Sequence, residues 1–286
     1  MKKITLLLIC LLVLVGCSDA SAMVSNPNTA VVTIDGGKVT RKDMFIAMKD
    51  QDQDFKVAIN FLVSYIANSQ VETTDEITDN ATKSLEEYQE QYADDFEGFL
   101  QAVGFATEEE LLAELITYEK MNHLISQYID ENWDAIIENY FPRKVRIIET
   151  TDTNVASTAL ERIKAGEEFI TVATELSDKS KDYFNGEEHI VTKLDALDES
   201  IVTFLRENNT PILSNILNVG AEKFYIVQII AGNPEQFREE AKEAIMKSSS
   251  IETEMIAYYC KKLNFKVYDV TLYNFLKTNY PTYLNQ

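Results

Sequence analysis

The 286-residue chain is poor in basic residues and in histidine, and each shortage excludes a class of protein. It has 26 lysines and arginines against 47 aspartates and glutamates, so its formal net charge is −21. Nucleic acids and polybasic lipid contacts both require positive charge on the protein. We therefore predict that the chain does not bind nucleic acid.

Cysteine is also scarce. Of the three cysteines, Cys10 and Cys17 lie at the start of the chain and only Cys260 lies in its body. An intramolecular disulfide in the body is therefore not expected. With 45% hydrophobic residues, the chain can instead be stabilised by its core.

The sequence contains no motif for a cofactor or a metal. It has no Gly-x-Ser-x-Gly, P-loop or dinucleotide-binding pattern. His123 and His189 lack the spaced partners of a metal site, and the acidic clusters at 50–54 and 108–110 lack the glycine and final glutamate of an EF-hand. We predict neither cofactor nor metal, with His123 on a solvated or packing helix face and His189 in a loop.

The first residues have the composition of a secretory signal. Lys2 and Lys3 precede an apolar run from Ile4 to Val15, which is too short to cross a bilayer as a helix. Its ending, Leu14-Val15-Gly16-Cys17, resembles the bacterial lipobox, in which the cysteine thiol is acylated. We expect residues 1–16 to be a signal peptide, Cys17 to carry lipid and 17–30 to be a tether; the alternative is an ordinary signal with an incidental cysteine.

The next segment, up to Pro142, is predicted to be mainly helical. Residues 31–34 and 38–40 flank Asp35-Gly36-Gly37 as a hairpin, and Thr40 can cap the helix that follows. Apolar spacing predicts a helix from about Thr82 to Val103, ended by Gly104. A capping box at Thr107-x-x-Glu110 opens a run of more than 30 residues, for which we expect a bend.

Beyond Pro142 the pattern changes to a compact α+β unit. We predict strands at 144–149 and 224–230, with short helices at 154–164, 169–176 and 198–206 between them. A helix restarts at Asn233-Pro234 and runs to about Tyr259. A short strand at 265–268 and a final helix capped by Asp269 follow.

Several segments together resemble the PrsA foldase family of lipoproteins, parvulin-containing relatives of the chaperone SurA. They are the lipobox, the opening 31–43, the closing 265–277, and the middle segment from Lys164-Ala165-Gly166 through Phe169 to Ser177-Asp178. The resemblance implies an α+β fold in which a parvulin-like domain, 143–232, is inserted into a helical chaperone domain formed by 31–142 and 233–286.

The resemblance also implies where a catalytic site would lie. Parvulins have two histidines on adjacent central strands, and the matching positions here are Glu149 and Tyr225. The catalytic residues are therefore unknown. A peptide groove is expected around Ile147, Leu176, Phe204 and Tyr225.

Three functions remain open from the sequence: a chaperone for exported chains, an active peptidyl-prolyl isomerase, and a lipoprotein binding module that only resembles a foldase. For the first two, the partners are unfolded or folding secreted polypeptides, met by an apolar surface to which Met44, Met48, Met121, Met246 and Met255 could contribute. The resemblance implies a lipid anchor on the extracytoplasmic face of a Gram-positive cell membrane. Whether the chain forms a homodimer is left open.

Overall fold

A computed structural model describes residues 25–34, 37–52, 55–179, 184–220 and 222–284. These residues form a mixed α+β protein that is mostly helical and contains a five-stranded antiparallel sheet. Contacts divide the chain into two compact units. Unit 1 comprises the described residues of Met1–Met121 and Thr253–Gln286, and unit 2 those of Asn122–Glu252. Unit 2 therefore extends beyond the predicted domain 143–232 at both ends.

Unit 1 consists of a hairpin and helices. Its elements are β1 (Ala30–Ile34), β2 (Gly37–Thr40), α1 (Arg41–Gln51), α2 (Lys56–Gln70), α3 (Asp75–Gln91), α4 (Phe96–Val103), the first part of α5 (Glu108–Glu131), most of α11 (Ser249–Lys262) and α12 (Val270–Asn279), with a 3-10 turn at Pro281–Tyr283. The core under α3, α4 and α5 contains Leu85, Leu100 and Leu111.

The helix ends in unit 1 follow local chemistry. Thr40 accepts from the N–H of Asp43 at 3.3 Å and its own N–H donates to the Asp43 carboxylate at 2.8 Å, which completes the capping box that fixes the start of α1. Gly104 ends α4 with φ +89°, and Asp269 caps α12 as expected. The helix predicted to begin near Thr82 instead begins after its cap Thr74 and is interrupted between α3 and α4, where Asp95 caps a new helix.

The N-terminal residues of unit 1 differ from a plain tether. Residues 25–30 belong to the predicted tether, yet Ala30 starts β1 and the carbonyls of Pro27 and Thr29 accept from the N–H groups of Lys42 and Arg41. The strand predicted at 265–268 does not form; those residues lie outside the helices and strands of the described chain.

Unit 2 is built around the sheet. It contains the rest of α5, then α6 (Trp133–Tyr140), β3 (Arg143–Thr150), α7 (Thr153–Lys164), α8 (Phe169–Leu176), β4 (His189–Val191), α9 (Glu199–Glu207), β5 (Ile212–Leu213), β6 (Leu217–Val219), β7 (Lys223–Ala231), a 3-10 turn at Pro234–Phe237, and α10 (Arg238–Met246). The expected bend before Pro142 is the break at Asn132 between α5 and α6.

The strand order is β4-β3-β7-β5, with β6 also paired to β7, and every pairing is antiparallel. Successive side chains of a strand point to opposite faces of the sheet, so alternate residues of β3 and β7 pack into two different cores. Ile148 and Ile226 pack with α7 and α8 on one face. Val145, Ile147 and Val227 pack with α9 on the other, which we call the α9 face.

Among the described residues, no helix has the length and apolar character needed to cross a bilayer.

Candidate functional site

The two positions that the resemblance assigned to the parvulin histidines come together on the α9 face. Glu149 and Tyr225 are directly opposed in the register of β3 and β7. Both are almost fully buried, with 2% and 1% of their surface exposed. A buried carboxyl beside a buried phenol is unusual on an otherwise apolar sheet face, and each group requires a polar partner.

Tyr225 is held by Asp198, which immediately precedes α9. The Tyr225 hydroxyl donates a hydrogen bond to the Asp198 carboxylate. Burial raises the pKa of Tyr225 well above that of an ordinary tyrosine, and the hydrogen bond to Asp198 and the negative charge of Glu149 raise it further. The phenol therefore stays protonated and acts as a donor, not as a base.

Glu149 is fixed through its backbone as well as its side chain. Its N–H donates to Ser177 Oγ at 3.2 Å, and its carbonyl accepts from the N–H of Asp178 at 2.7 Å. Lys223 Nζ lies 3.5 Å from its Oε1. A positive charge at this distance offsets part of the cost of burying the carboxylate.

Ser177 and Asp178, which belong to the middle segment that resembles parvulins, fix the end of β3 by hydrogen bonds. Ser177 Oγ donates to the carbonyl of Phe184 at 2.6 Å, and Asp178 accepts from the N–H of Thr151 at 2.6 Å. Gly186 continues this loop with φ +87°, and an added Cβ would lie 2.5 Å from the Cβ of Ala173. The loop can therefore lie this close to α8 only with glycine at 186.

Three of the four predicted groove residues share the α9 face. Ile147 and Tyr225 are buried there, and Phe204 of α9 packs against them half-buried. Leu176 packs against the opposite core with α7 and α8. The structure therefore does not bring Leu176 to the other three, because Leu176 packs against the core on the opposite face of the sheet.

The α9 face is filled by the protein's own side chains around Tyr225. Phe184 lies edge-on to the Tyr225 ring, with centroids 5.8 Å apart and planes at 72°. Phe184, Ile201 and Leu205 are each at most 2% exposed. Chemically, the arrangement offers one neutral donor between two carboxylates in a closed apolar setting.

The histidines lie outside this arrangement. His123 is on an exposed position of α5. His189 was expected in a loop but is the first residue of β4, opposite Val145 and half-buried. Burial lowers the pKa of His189, and the charge of Glu187 acts in the opposite sense.

Sequence reasoning missed Asp198, Phe184 and Lys223 as members of the site. Asp198 was recognised only as the start of a helix, yet its side chain makes no capping bond to α9 because it accepts from Tyr225. The hydrogen-bond partner of Asp198 is 27 positions away in sequence, so no local sequence pattern predicts it. Cys17, the predicted lipid attachment site, lies outside the described residues.

Unit 1 contains a second candidate site, an open apolar cleft of about 340 Å³ between α1, α2 and the start of α12. Phe45, Met48, Phe55, Phe61 and Leu272 contribute most of its apolar lining. Met48 is 64% exposed and Phe61 72% exposed. Asp52 accepts from the N–H of Val57 at 3.1 Å at its edge.

The exposed apolar surface continues beyond the cleft. Val57, Phe61 and Tyr65 follow one another at four-residue spacing along α2, so they form one stripe on its solvent side. Of the methionines considered for an adaptable surface, Met44 and Met48 are exposed, whereas Met121 and Met255 are buried. Contiguous exposed apolar residues of this kind are typical of an interaction surface.

No family model matches the chain. Three comparisons with curated proteins and solved structures are informative about its relatives. The foldase protein PrsA of Streptococcus equi subsp. equi is 26% identical over 301 residues, which covers 96% of this chain and 88% of the relative. PrsA 2 of Listeria monocytogenes is 29% identical over 165 residues, covering 54% and 53%. A PrsA crystal structure from Streptococcus pneumoniae aligns with a TM-score of 0.45 at 18% identity, covering 89% of this chain and all of that one.

The class defined by the fold is a mixed, mostly helical α+β protein with a five-stranded antiparallel sheet and a two-stranded hairpin. Over nearly its full length the chain is similar to foldase proteins PrsA of Streptococcus.

Proposed function

We propose that the chain is a membrane-anchored extracytoplasmic chaperone that holds secreted polypeptides while they fold. The observation that carries this proposal is the apolar cleft of unit 1 with the exposed Val57, Phe61 and Tyr65 stripe beside it. An unfolded chain exposes apolar side chains that a folded protein buries. Burying them against such a surface is favourable, by about 25 cal/mol per Å² of apolar area removed from water. The similarity to foldase proteins PrsA over nearly the full length supports the same function.

The anchor in this proposal is lipid on Cys17. The lipobox-like Leu14-Val15-Gly16-Cys17 supports it, and two acyl chains give a stable attachment where one is marginal. The relatives come from Streptococcus, Lacticaseibacillus and Listeria. The chain would accordingly be held on the outer face of a Gram-positive cell membrane, where secreted chains emerge.

We further propose that peptidyl-prolyl isomerase activity is weak or absent. Rotation about an X-Pro bond has a barrier of about 20 kcal/mol, and a catalyst must stabilise the twisted amide. Here the α9 face around Tyr225 is filled by Phe184, and the phenol hydrogen is already directed to Asp198. Glu149 places a carboxyl where a substrate amide would need an apolar or donating neighbour.

An active isomerase is the second candidate. Its support is that Glu149 and Tyr225 face each other on adjacent strands, as the resemblance to parvulins implies for the catalytic pair. One preparation of the mature protein tests both. We expect it to delay aggregation of a chemically unfolded secreted protein while leaving X-Pro exchange in a test peptide at its spontaneous rate. An exchange rate like that of a fully active parvulin, lost in Tyr225→Ala, would establish the enzyme instead.

A further inference from the structure

Unit 2 contains a polar cleft, distinct from the Tyr225 site, that no part of the proposed function uses. It has a volume of about 340 Å³ and lies between α6, the start of β3 and the turn before α10. Asp134 and Glu138 line one side, Arg143 lies at the start of β3, and Asn209 and Asn233 complete the wall. We call it the Arg143 cleft.

Arg143 is the unusual member. Only 6% of its surface is exposed, yet it forms no ion pair with any described residue. Nε donates to the carbonyl of Asn208 at 2.8 Å and Nη1 to the carbonyl of Pro142 at 3.0 Å. A guanidinium has five N–H groups, and the hydrogen bonds to described residues use two of them, which leaves three N–H groups on a residue that lines the cleft. An arginine this buried keeps its charge and gains most from an acceptor that reaches it.

The opposite wall has the complementary chemistry. Asp134 and Glu138 are one turn apart on α6 and point to the same side of the helix. Both are exposed, and within the described part of the chain neither has a cationic partner. A ligand that enters the cleft therefore meets donors at Arg143 and acceptors at the two carboxylates.

The cleft is held in shape by its own backbone. An added Cβ at Gly232 would lie 2.2 Å from the carbonyl carbon and oxygen of Asn209. Glycine at 232 thus allows the 208–209 loop to pack against the end of β7, and Arg143 ties the same loop to β3 through Asn208. The donors and the loop are fixed before any ligand binds, which reduces the entropy lost on binding.

We propose that the Arg143 cleft binds an extended polypeptide segment bearing a basic side chain. Arg143 donates to a main-chain carbonyl of the segment, and Asp134 and Glu138 pair with its cation. A simple anion is a poorer ligand, since the two carboxylates repel it. This inference rests on the proposed function, because polypeptides are the partners of a chaperone, and it specifies the kind of segment that unit 2 selects.

The test uses the mature chain and short fluorescent peptides that are acetylated and amidated, identical except for lysine, glutamine or glutamate at two positions. We expect the lysine peptide to bind most tightly in a fluorescence anisotropy titration. Asp134→Asn with Glu138→Gln should weaken it about fivefold, as expected for the loss of two exposed ion pairs, and added salt should reduce the difference.

The matched control is Glu239→Gln with Glu243→Gln, an exposed acidic pair with the same spacing on α10. It changes net charge equally and should leave lysine-peptide binding unchanged. If both double variants weaken lysine-peptide binding equally, the peptide is attracted by the overall charge of the protein, and the inference would be overturned. So would tighter binding of an acetylated amino acid with a free carboxylate, which would identify a chain terminus as the ligand.

The same variants separate this inference from the proposed function. Aggregation delay without any lysine preference would overturn the inference and leave the chaperone. Selective lysine-peptide binding that depends on Asp134 and Glu138, without aggregation delay, would support the cleft and refute the chaperone.

Discussion

Lys144 lies directly opposite Ala231 in the central strand pair of the sheet. The segment between them contains β4, β5, β6, α7, α8 and α9, yet it leaves the sheet next to where it entered. Its two ends are therefore neighbours, which is the geometry that an inserted domain requires.

The flanking helices of unit 2 also make contacts of their own. Arg238 lies over the Trp133 ring at 4.3 Å, the Trp133 indole N–H donates to Glu235, and Lys242 pairs with Asp130. These contacts join α5 and α6 to the turn and helix after β7 and involve no residue of the sheet.

We therefore predict that deletion of 143–232, closed by a short linker, gives a soluble protein that melts cooperatively. Circular dichroism and thermal melting would check this. Deletion of 143–191 alone is the control: it removes β3 and β4 but leaves β7 without its central partner, so we expect aggregation from the exposed strand. Loss of helical signal in the first variant would contradict an inserted domain.

The Tyr225 hydroxyl should control stability at high pH. Its pKa is raised in the folded state, so above the ordinary tyrosine pKa of about 10 the unfolded chain loses a proton that the folded chain keeps. The contribution is present below that pH and is lost as pH rises. We expect the wild-type melting temperature to fall above about pH 10, with a shallower fall for Tyr225→Phe.

At neutral pH the Tyr225→Phe variant should be less stable by about 1–3 kcal/mol, because the half-buried Asp198 carboxylate loses its donor. Tyr65→Phe, at a 71% exposed position, is the control and should follow the wild type. An alkaline fall as steep in Tyr225→Phe as in the wild type would show that this hydroxyl is not responsible.

We expect the apolar cleft of unit 1 to contribute to the binding of unfolded client proteins but little to the stability of the chain itself. Met48→Ser with Phe61→Ser removes two largely exposed apolar side chains, so we expect the free energy of unfolding to change by less than about 1 kcal/mol. The delay of client aggregation, followed by light scattering, should shorten severalfold. Ile170→Ser, an exposed apolar position of α8, should leave the delay unchanged.

Cys17 should be the point of membrane attachment. Cys17→Ala should release the protein into the medium or leave an uncleaved precursor, as judged by fractionation and mass. Processing after Gly16 with continued acyl labelling of the variant would refute lipidation at this residue.

The helices and central strands could largely be predicted from local patterns. Thr40 with Asp43, Gly104 and Asp269 marked helix ends correctly because a cap depends on residues a few positions away. The strands around Ile147 and Val227 were recognised because their apolar runs are long for so short a segment. Strands β4, β5 and β6 have two or three residues each and carry no such pattern.

Only part of the candidate site could be predicted, because some of its residues meet through contacts that are distant in sequence. Glu149 and Tyr225 were found by position relative to a family pattern, and the register of β3 and β7 brings them together. Asp198 and Phe184 join them through tertiary contacts, and the polar Arg143 cleft depends on a loop, 208–209, that only the close approach of Gly232 explains. Leu176 was misplaced relative to the groove because a helix face cannot be assigned to one side of a sheet from sequence alone.

The pairing of β3 with β7 also orders events in time. A chain that appears from its N-terminus completes β3 by Thr150 but must extend to Ala231 before its main partner strand exists. Until then Ile147 and Ile148, both fully buried in the finished protein, have no β7 to pack beside. Contacts so distant in sequence form slowly. Unit 2 therefore cannot form its central strand pair until most of its length has been made, and during that interval β3 exposes apolar side chains of the kind that the proposed chaperone would bind in its clients.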